Sequence, residues 1–378
     1  MKFSQIHNHK ETKGQLIQII DSQKISHAQL FYGKTGSAAL QMALAYITYV
    51  YCENKNGSDA CGTCGSCLKN ETLSHPDVHF SFPYLLSDSG SKKVTTDDFL
   101  QDWKSLIIEK NGIITQNSWR EKAGIENKKA AIGTAESEHI SSKLALKSFE
   151  GGYKTLLMWL PETMNESASN KLLKLIEEPP AKTLFILVTE NSDAIIQTIR
   201  SRVQMLTIPD YTANEMAEIL QHKLSISAED AISVANISEG NIEQALALAT
   251  GENDNQNFEL FKQWMRLCYQ KDISTIIDWV DELASLGREQ HKSFLQYALH
   301  FVRNAMMTNY MGDKLVHLSG EELAFNQKFA PFIHHNNAID FYNQLSEAYY
   351  NIERNASPKP LLLDLSIKVN YLIHKAKA

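Results

Sequence analysis

The chain has no apolar run long enough to cross a bilayer: the longest, Ala38 to Cys52, is interrupted by Gln41, and a spanning helix needs about 20 apolar residues. Its start, MKFSQIHNHKETKG, lacks the apolar core of a signal peptide, so the expected compartment is the cytoplasm. Positive charge is also short. Against 44 Asp and Glu stand 37 Lys and Arg, a formal net charge of −7. That balance argues against a protein that grips nucleic acid alone through a dominant basic surface. Cysteine is sparse: of five, four crowd between Cys52 and Cys67 and Cys268 stands apart. This excludes a disulfide framework spread over a secreted fold. No internal repeat or low-complexity tract is present.

What the chain does have is an ordinary globular composition, 43% hydrophobic and 21% charged over 378 residues. That length suggests two or three domains. Over the first two hundred residues, short apolar runs (AQLFYG, VHFSF, TLLMWL, TLFILV and VQMLTI) alternate with helix-like segments, the signal for a parallel sheet with crossover helices. From about 85 to 150 the chain turns polar, with SDSGSKK and GIENKKAAIGTAESE around an amphipathic helix at Asp98 to Glu109. A surface insertion, partly loop, is expected there.

After Pro209 the strands stop. Thr212 with Glu215 and Ser227 with Asp230 form capping pairs for two helices, and NISEGNIEQALALA supplies a third, giving a small helical domain over 210–250. TGENDNQN reads as a linker. A third, all-helical domain is expected over 256–378, where Phe294, Ala298, Phe301, Val302 and Ala305 share one helical face.

The stretch LFYGKTGSAAL resembles a phosphate-binding loop of the G-x-x-x-x-G-K-[ST] type. In a working loop backbone amides close around phosphate, Lys reaches the β/γ oxygens and Ser or Thr holds magnesium. Matched from Gly33, with Gly36 turning the chain, those last three places hold Ala38, Ala39 and Leu40. Such enzymes also need acids at the end of a buried strand to position magnesium and water. In YKTLLMWLPETM the strand tip presents Trp159 and Leu160, and Glu162 beyond it reads as a surface or cap residue. Two separate losses remove the same chemistry, so intrinsic ATP hydrolysis is not expected.

Cys52, Cys61, Cys64 and Cys67 have the spacing C-x8-C-x2-C-x2-C, with Gly62 and Gly65 in the knuckles. Thiolates spaced by two residues can converge on one tetrahedral zinc, and four close its coordination sphere. A structural zinc rather than a catalytic one is expected. Weighed against it are four unligated thiols or an iron–sulfur cluster. His75 and His79 lie nearby but are not needed as ligands.

The order of these parts carries a resemblance. ISHAQLFYGKTG precedes the cysteines, SHPDVHF follows them, and then come EGGYKTLLMWLPETMNESASNKLLKLIEEPPAKTLFILVTE and AIIQTIRSRVQML. Together they resemble the delta-prime subunits of bacterial DNA polymerase III clamp loaders, in the AAA+ family, over residues 25–84 and 151–209, and more loosely to about 250. NKLLKLIEEPP and TIRSR are the most specific segments. The departures are the insertion at 85–150 and Val203, where the family usually has cysteine.

The resemblance implies an α/β AAA+ domain over 1–209 with the zinc module at 52–67, a helical lid over 210–250 and a helical collar over 256–378. It implies a rigid, non-hydrolysing member of a hetero-pentameric ring with gamma/tau-type ATPase and delta-type subunits, which loads the sliding clamp onto primed DNA. Ser201 and Arg202 would lie at an interface, Arg202 directed as an arginine finger toward ATP bound by the neighbouring subunit; from the residues alone, Arg202 reads as a surface salt bridge, like Arg200. Glu243 occupies the place where active relatives set a phosphate-sensing arginine; Thr189 stands where a remnant sensor would, though a threonine at a strand end is usually structural. Two other functions compete: an active ATPase of a similar ring, disfavoured by the missing contacts, and an independent zinc-dependent DNA-binding protein, disfavoured by the acidic charge.

Overall fold

A computed structural model describes residues 1–86, 93–125, 130–238, 240–250, 254–311, 318, 320–354 and 356–375. The helix α1 (Lys10–Asp21) leads into β1 (Ala28–Tyr32), α2 (Ala39–Tyr51), α3 (Gly65–Glu71), β2 (Val78–Ser81) and β3 (Tyr84–Leu85). Then follow α4 (Leu100–Glu109), α5 (Gln116–Lys122), β4 (Ala130–Ala131), α6 (Thr134–Ala145), β5 (Lys154–Trp159) and α7 (Glu166–Glu177). The strand β6 (Thr183–Thr189), the short α8 (Gln197–Arg200) and β7 (Gln204–Thr207) complete the α/β part.

Five of these strands form one parallel sheet in the order β2-β5-β6-β1-β7. Two of the three interior strands, β5 and β6, are buried at every position. Their unbroken apolar runs are what a strand covered on both faces requires. The edge strand β7 is mostly exposed. Side chains alternate between two cores, as the period of two dictates. Leu30, Leu156, Met158, Phe185 and Leu187 face a cluster with Leu172, Ile176 and Ile199. Phe31, Leu157, Trp159, Ile186 and Val188 face the larger cluster containing α2.

Three further helices, α9 (Ala213–Leu224), α10 (Ala228–Ser238) and α11 (Ile242–Thr250), follow the sheet. Thr212 Oγ1 accepts from the Glu215 N–H at 3.3 Å while Glu215 Oε2 accepts from the Thr212 N–H at 2.9 Å. The reciprocal pair satisfies two donors that the first turn would otherwise leave open. The Asp230 N–H donates likewise to Ser227 Oγ, at 3.1 Å.

The polar stretch at 85–150 is more structured than its composition suggests. Trp103 and Trp119 are fully buried, Phe82 stacks on Trp103 at 4.8 Å between ring centroids, and β3 pairs antiparallel with β4. A few large apolar residues at helical spacing build a core here inside a polar background, which composition averages away. Ser137 Oγ on α6 donates to the Ala168 carbonyl of α7 at 3.1 Å, so α6 belongs to the helical layer over the sheet. Most of SDSGSKK lies outside the described residues.

The chain divides into two units, Met1–Ala249 and Thr250–Ala378. The second consists of α12 (Asp254–Gln270), α13 (Ile273–Ala284), α14 (Arg288–Met311), α15 (Gly320–Phe329), α16 (Ala338–Glu353) and α17 (Pro358–Ile373). Its core is aromatic: Trp264 stacks on Trp279 at 5.7 Å, and Phe294, Ala298, Phe301, Val302 and Ala305 all point inward. Part of the TGENDNQN segment lies outside the described residues. No described helix is long and apolar enough to cross a membrane.

Candidate functional site

The end of β1 delivers the chain into the loop, where the Gly33 N–H donates to the Thr189 carbonyl at 3.2 Å. Gly36 has φ +76°, a conformation that side chains with a Cβ rarely adopt. It is also crowded, since a Cβ there would lie 3.0 Å from Asn241 Cα. The Gly36 carbonyl accepts from the Ile242 N–H at 3.2 Å, so the start of α11 sits directly on the loop. Ala38, the N-cap of α2, and Ala39 and Leu40 in its first turn are buried in the core. They bring no lysine to phosphate and no hydroxyl to magnesium.

Carboxylates gather around the same loop. Glu162 Oε1 accepts from the backbone N–H groups of Glu190 (3.0 Å) and Asn191 (3.3 Å), and burial pushes its pKa up. The sequence suggested a surface or cap residue; in place, Glu162 caps the end of β6 from a largely desolvated position. Thr35 Oγ1 donates to Glu190 Oε2 at 2.7 Å. Burial above all pushes Glu190 up to about 7; the Thr35 hydroxyl opposes it, and the charges of Glu162 and Glu243 add smaller upward pushes. Glu243 pairs with Lys110 Nζ at 2.6 Å, and Lys34 pairs with Asp210 at 2.6 Å. A polyphosphate placed here would meet the Glu162 and Glu190 carboxylates, and the two lysines nearby are already paired with Glu243 and Asp210. Thr189 Oγ1 accepts from the Asn191 N–H at 3.1 Å, a structural use.

Four cysteine sulfurs come together as the spacing predicts. The Sγ atoms of Cys52, Cys61, Cys64 and Cys67 all lie within 4.8 Å of one another, and all four thiols are free. Cys61 and Cys67 Sγ are 3.9 Å apart. Four thiolates around zinc at about 2.3 Å would stand about 3.8 Å apart at tetrahedral angles. The N–H groups of Thr63 (3.4 Å) and Cys64 (3.3 Å) donate to Cys61 Sγ, and these backbone donors pull its pKa down to about 6. Burial pushes Cys52 and Cys67 up. The donor set fits a metal ion that favours thiolates. His75 lies outside the cluster, its Nε2 3.0 Å from Glu150 Oε2 and its ring 4.4 Å from that of Tyr51.

The third feature stands at the end of α8. Arg202 Nε is 2.8 Å from Glu177 Oε1, and its Nη1 donates to the Thr198 carbonyl at 3.0 Å and to Ser201 Oγ at 3.3 Å. Ser201 is the C-cap of α8, and its Oγ donates to the Thr198 carbonyl at 3.1 Å. Arg200 turns to its own neighbourhood, with Nη1 2.5 Å from Asp193 Oδ1 and Nη2 donating to Gln197 Oε1 at 3.0 Å.

Sequence reasoning did not single out Glu190, Asn241, Lys110 or Glu177. Glu177 offered a signal, because it lies in the NKLLKLIEEPP segment; the others are brought to the loop by tertiary contacts that local pattern does not report.

A family model for "DNA polymerase III, delta subunit" matches residues 8–212. Among curated relatives, the DNA polymerase III subunit delta′ of Escherichia coli is 22% identical over 284 residues, covering 75% of this chain and 71% of that protein. The subunit delta′ of Bacillus subtilis is 26% identical over 233 residues, covering 62% of this chain and 56% of its own length. Among solved structures, a DNA polymerase III gamma subunit-related protein of Thermotoga maritima aligns over 96% of this chain and all of its own, with 14% identity and a TM-score of 0.41. That likeness carries no functional weight.

Proposed function

The chain belongs to the DNA polymerase III delta-subunit family, and from that premise we propose that it serves as a delta-prime subunit that does not hydrolyse ATP itself. One observation carries the reading: where a working loop has Lys and Ser or Thr, the chain has Ala39 and Leu40, buried in the core beneath a loop occupied by Asn241 and surrounded by Glu162, Glu190 and Glu243. Ala39 and Leu40 supply neither the lysine nor the hydroxyl that a transferring phosphoryl group and its magnesium need.

In this reading residues 1–209 are the AAA+ domain, 210–250 a lid and 256–378 a collar that holds the chain among gamma/tau-type and delta-type subunits in a five-membered ring. Ser201 and Arg202 face a neighbour, where a permanently charged guanidinium offsets the charge that builds on the γ-phosphate of ATP bound there. The ring opens a sliding clamp and places it on primed DNA, this subunit serving as its rigid scaffold. Cys52, Cys61, Cys64 and Cys67 would hold a structural zinc, which when bound cross-links the connection between α2 and β2. The test is reconstitution with the partner subunits: the isolated chain turns over no ATP, whereas the assembled ring does. Appreciable hydrolysis by the chain alone, abolished by a change at Gly36, would overturn the reading.

A further inference from the structure

The two segments that carry the family resemblance most specifically meet in space, and at their exposed edge Glu177 at the end of α7 pairs with Arg202 after α8. Their side chains are 39% and 43% exposed. An ion pair so open to water contributes about 0 to 1 kcal/mol. Its consequence is therefore geometric. Glu177 sits on a fixed base: Ile176 beside it is buried in the core, His27 Nε2 lies 3.0 Å from the Ile176 carbonyl, and Pro179 and Pro180 forbid the helix to continue.

The guanidinium is gripped on two sides. Glu177 Oε1 stands 2.8 Å from Nε as an ion pair, while Thr198 and Ser201 accept from Nη1. Among the described residues, none bonds Nη2. These contacts restrain the head of a side chain that is still 43% exposed. Arg200, two positions earlier, has both Nη atoms engaged by its own segment.

Resting on the reading that Arg202 acts on a neighbour's nucleotide, we propose that Glu177 is a positioning residue: it orients the Arg202 guanidinium for contact with the γ-phosphate bound next door. Preorganised donors stabilise transition-state charge without reorienting during the reaction, and small misplacements of a catalytic group cost up to about 100-fold in rate.

The experiment uses the full chain assembled with its gamma/tau-type and delta-type partners, and measures kcat and KM of the DNA-dependent ATPase for wild type, Glu177→Gln, Arg202→Ala and the double variant. Glu177→Gln is expected to lower kcat about three- to tenfold, with little change in KM or in the melting temperature of the free subunit. The double variant should match Arg202→Ala, because a residue that acts through another has nothing left to act on. An unchanged or raised kcat for Glu177→Gln, or a loss that adds to that of Arg202→Ala, overturns the positioning role while leaving the in-trans reading standing. If Arg202→Ala itself leaves kcat unchanged, the in-trans reading fails and the positioning role fails with it.

Discussion

Lys110 Nζ lies 2.6 Å from Glu243 Oε1, which ties the C-cap of α4 to the first turn of α11. The next residue, Asn111, accepts through its carbonyl a bond of 2.8 Å from Gln41 Nε2 on α2. Asn111 and Gly112 both have positive φ, so the chain turns sharply there to reach both helices. The segment between β2 and β5 thus holds the helix after the loop and the helix that sits on the loop. Lys110→Ala should speed amide hydrogen exchange in α11, consistent with the loss of roughly 0.5 to 1 kcal/mol of local stability. Unchanged exchange in α11 would show that the pair does not restrain it.

Gly36 is a second point of restraint. Gly36→Ala forces a Cβ into a left-handed conformation and toward the Asn241 backbone, at a cost of about 1–3 kcal/mol. Thermal melting should show a drop of several degrees, with a faster-exchanging start of α11. An unaltered melting temperature would mean that the loop and α11 separate freely.

Glu190 predicts a pH dependence. Its pKa is raised from the usual 4.5 to about 7 because burial favours the neutral acid. The stability associated with that neutral form is complete below pH 4.5 and is lost as pH rises through about 7. Glu190→Gln, which stays neutral, should therefore melt higher than wild type at about pH 8 and close to it at about pH 4.5. Equal melting curves on the alkaline side would contradict the desolvated placement of the carboxyl.

The cysteine cluster predicts about one zinc per chain by elemental analysis, bound through four thiolates. Cys64→Ser should reduce zinc retention and lower the melting temperature of the Met1–Ala249 part, since metal affinity is coupled to folding. Zinc bound at full stoichiometry in Cys64→Ser, with no loss of stability, would exclude coordination by all four cysteines.

Much of the α/β architecture was legible because its strands are unusually apolar. TLLMWL and TLFILV are two of the three interior strands, buried throughout, and an interior parallel strand has no polar face to blur the signal. The four cysteines were legible from spacing alone, because two x2 knuckles constrain three of the sulfurs locally. The core within 85–150 was legible only as the helix carrying Trp103; that Trp103 and Trp119 are buried together depends on partners such as Phe82, which lies outside that stretch. The environment of the loop was not legible. Asn241 reaches Gly36 and Glu177 reaches Arg202 across large separations in sequence, and neither pairing leaves a periodic trace.

The most direct test compares DNA-dependent ATP turnover by the reconstituted ring with and without Arg202→Ala, after checking that both assemble to the same yield. A subunit that is silent at its own loop and acts at its neighbour's site predicts intact assembly with turnover lowered at least about tenfold, a modest share of what arginine fingers contribute elsewhere. Intact assembly with unchanged turnover would contradict it.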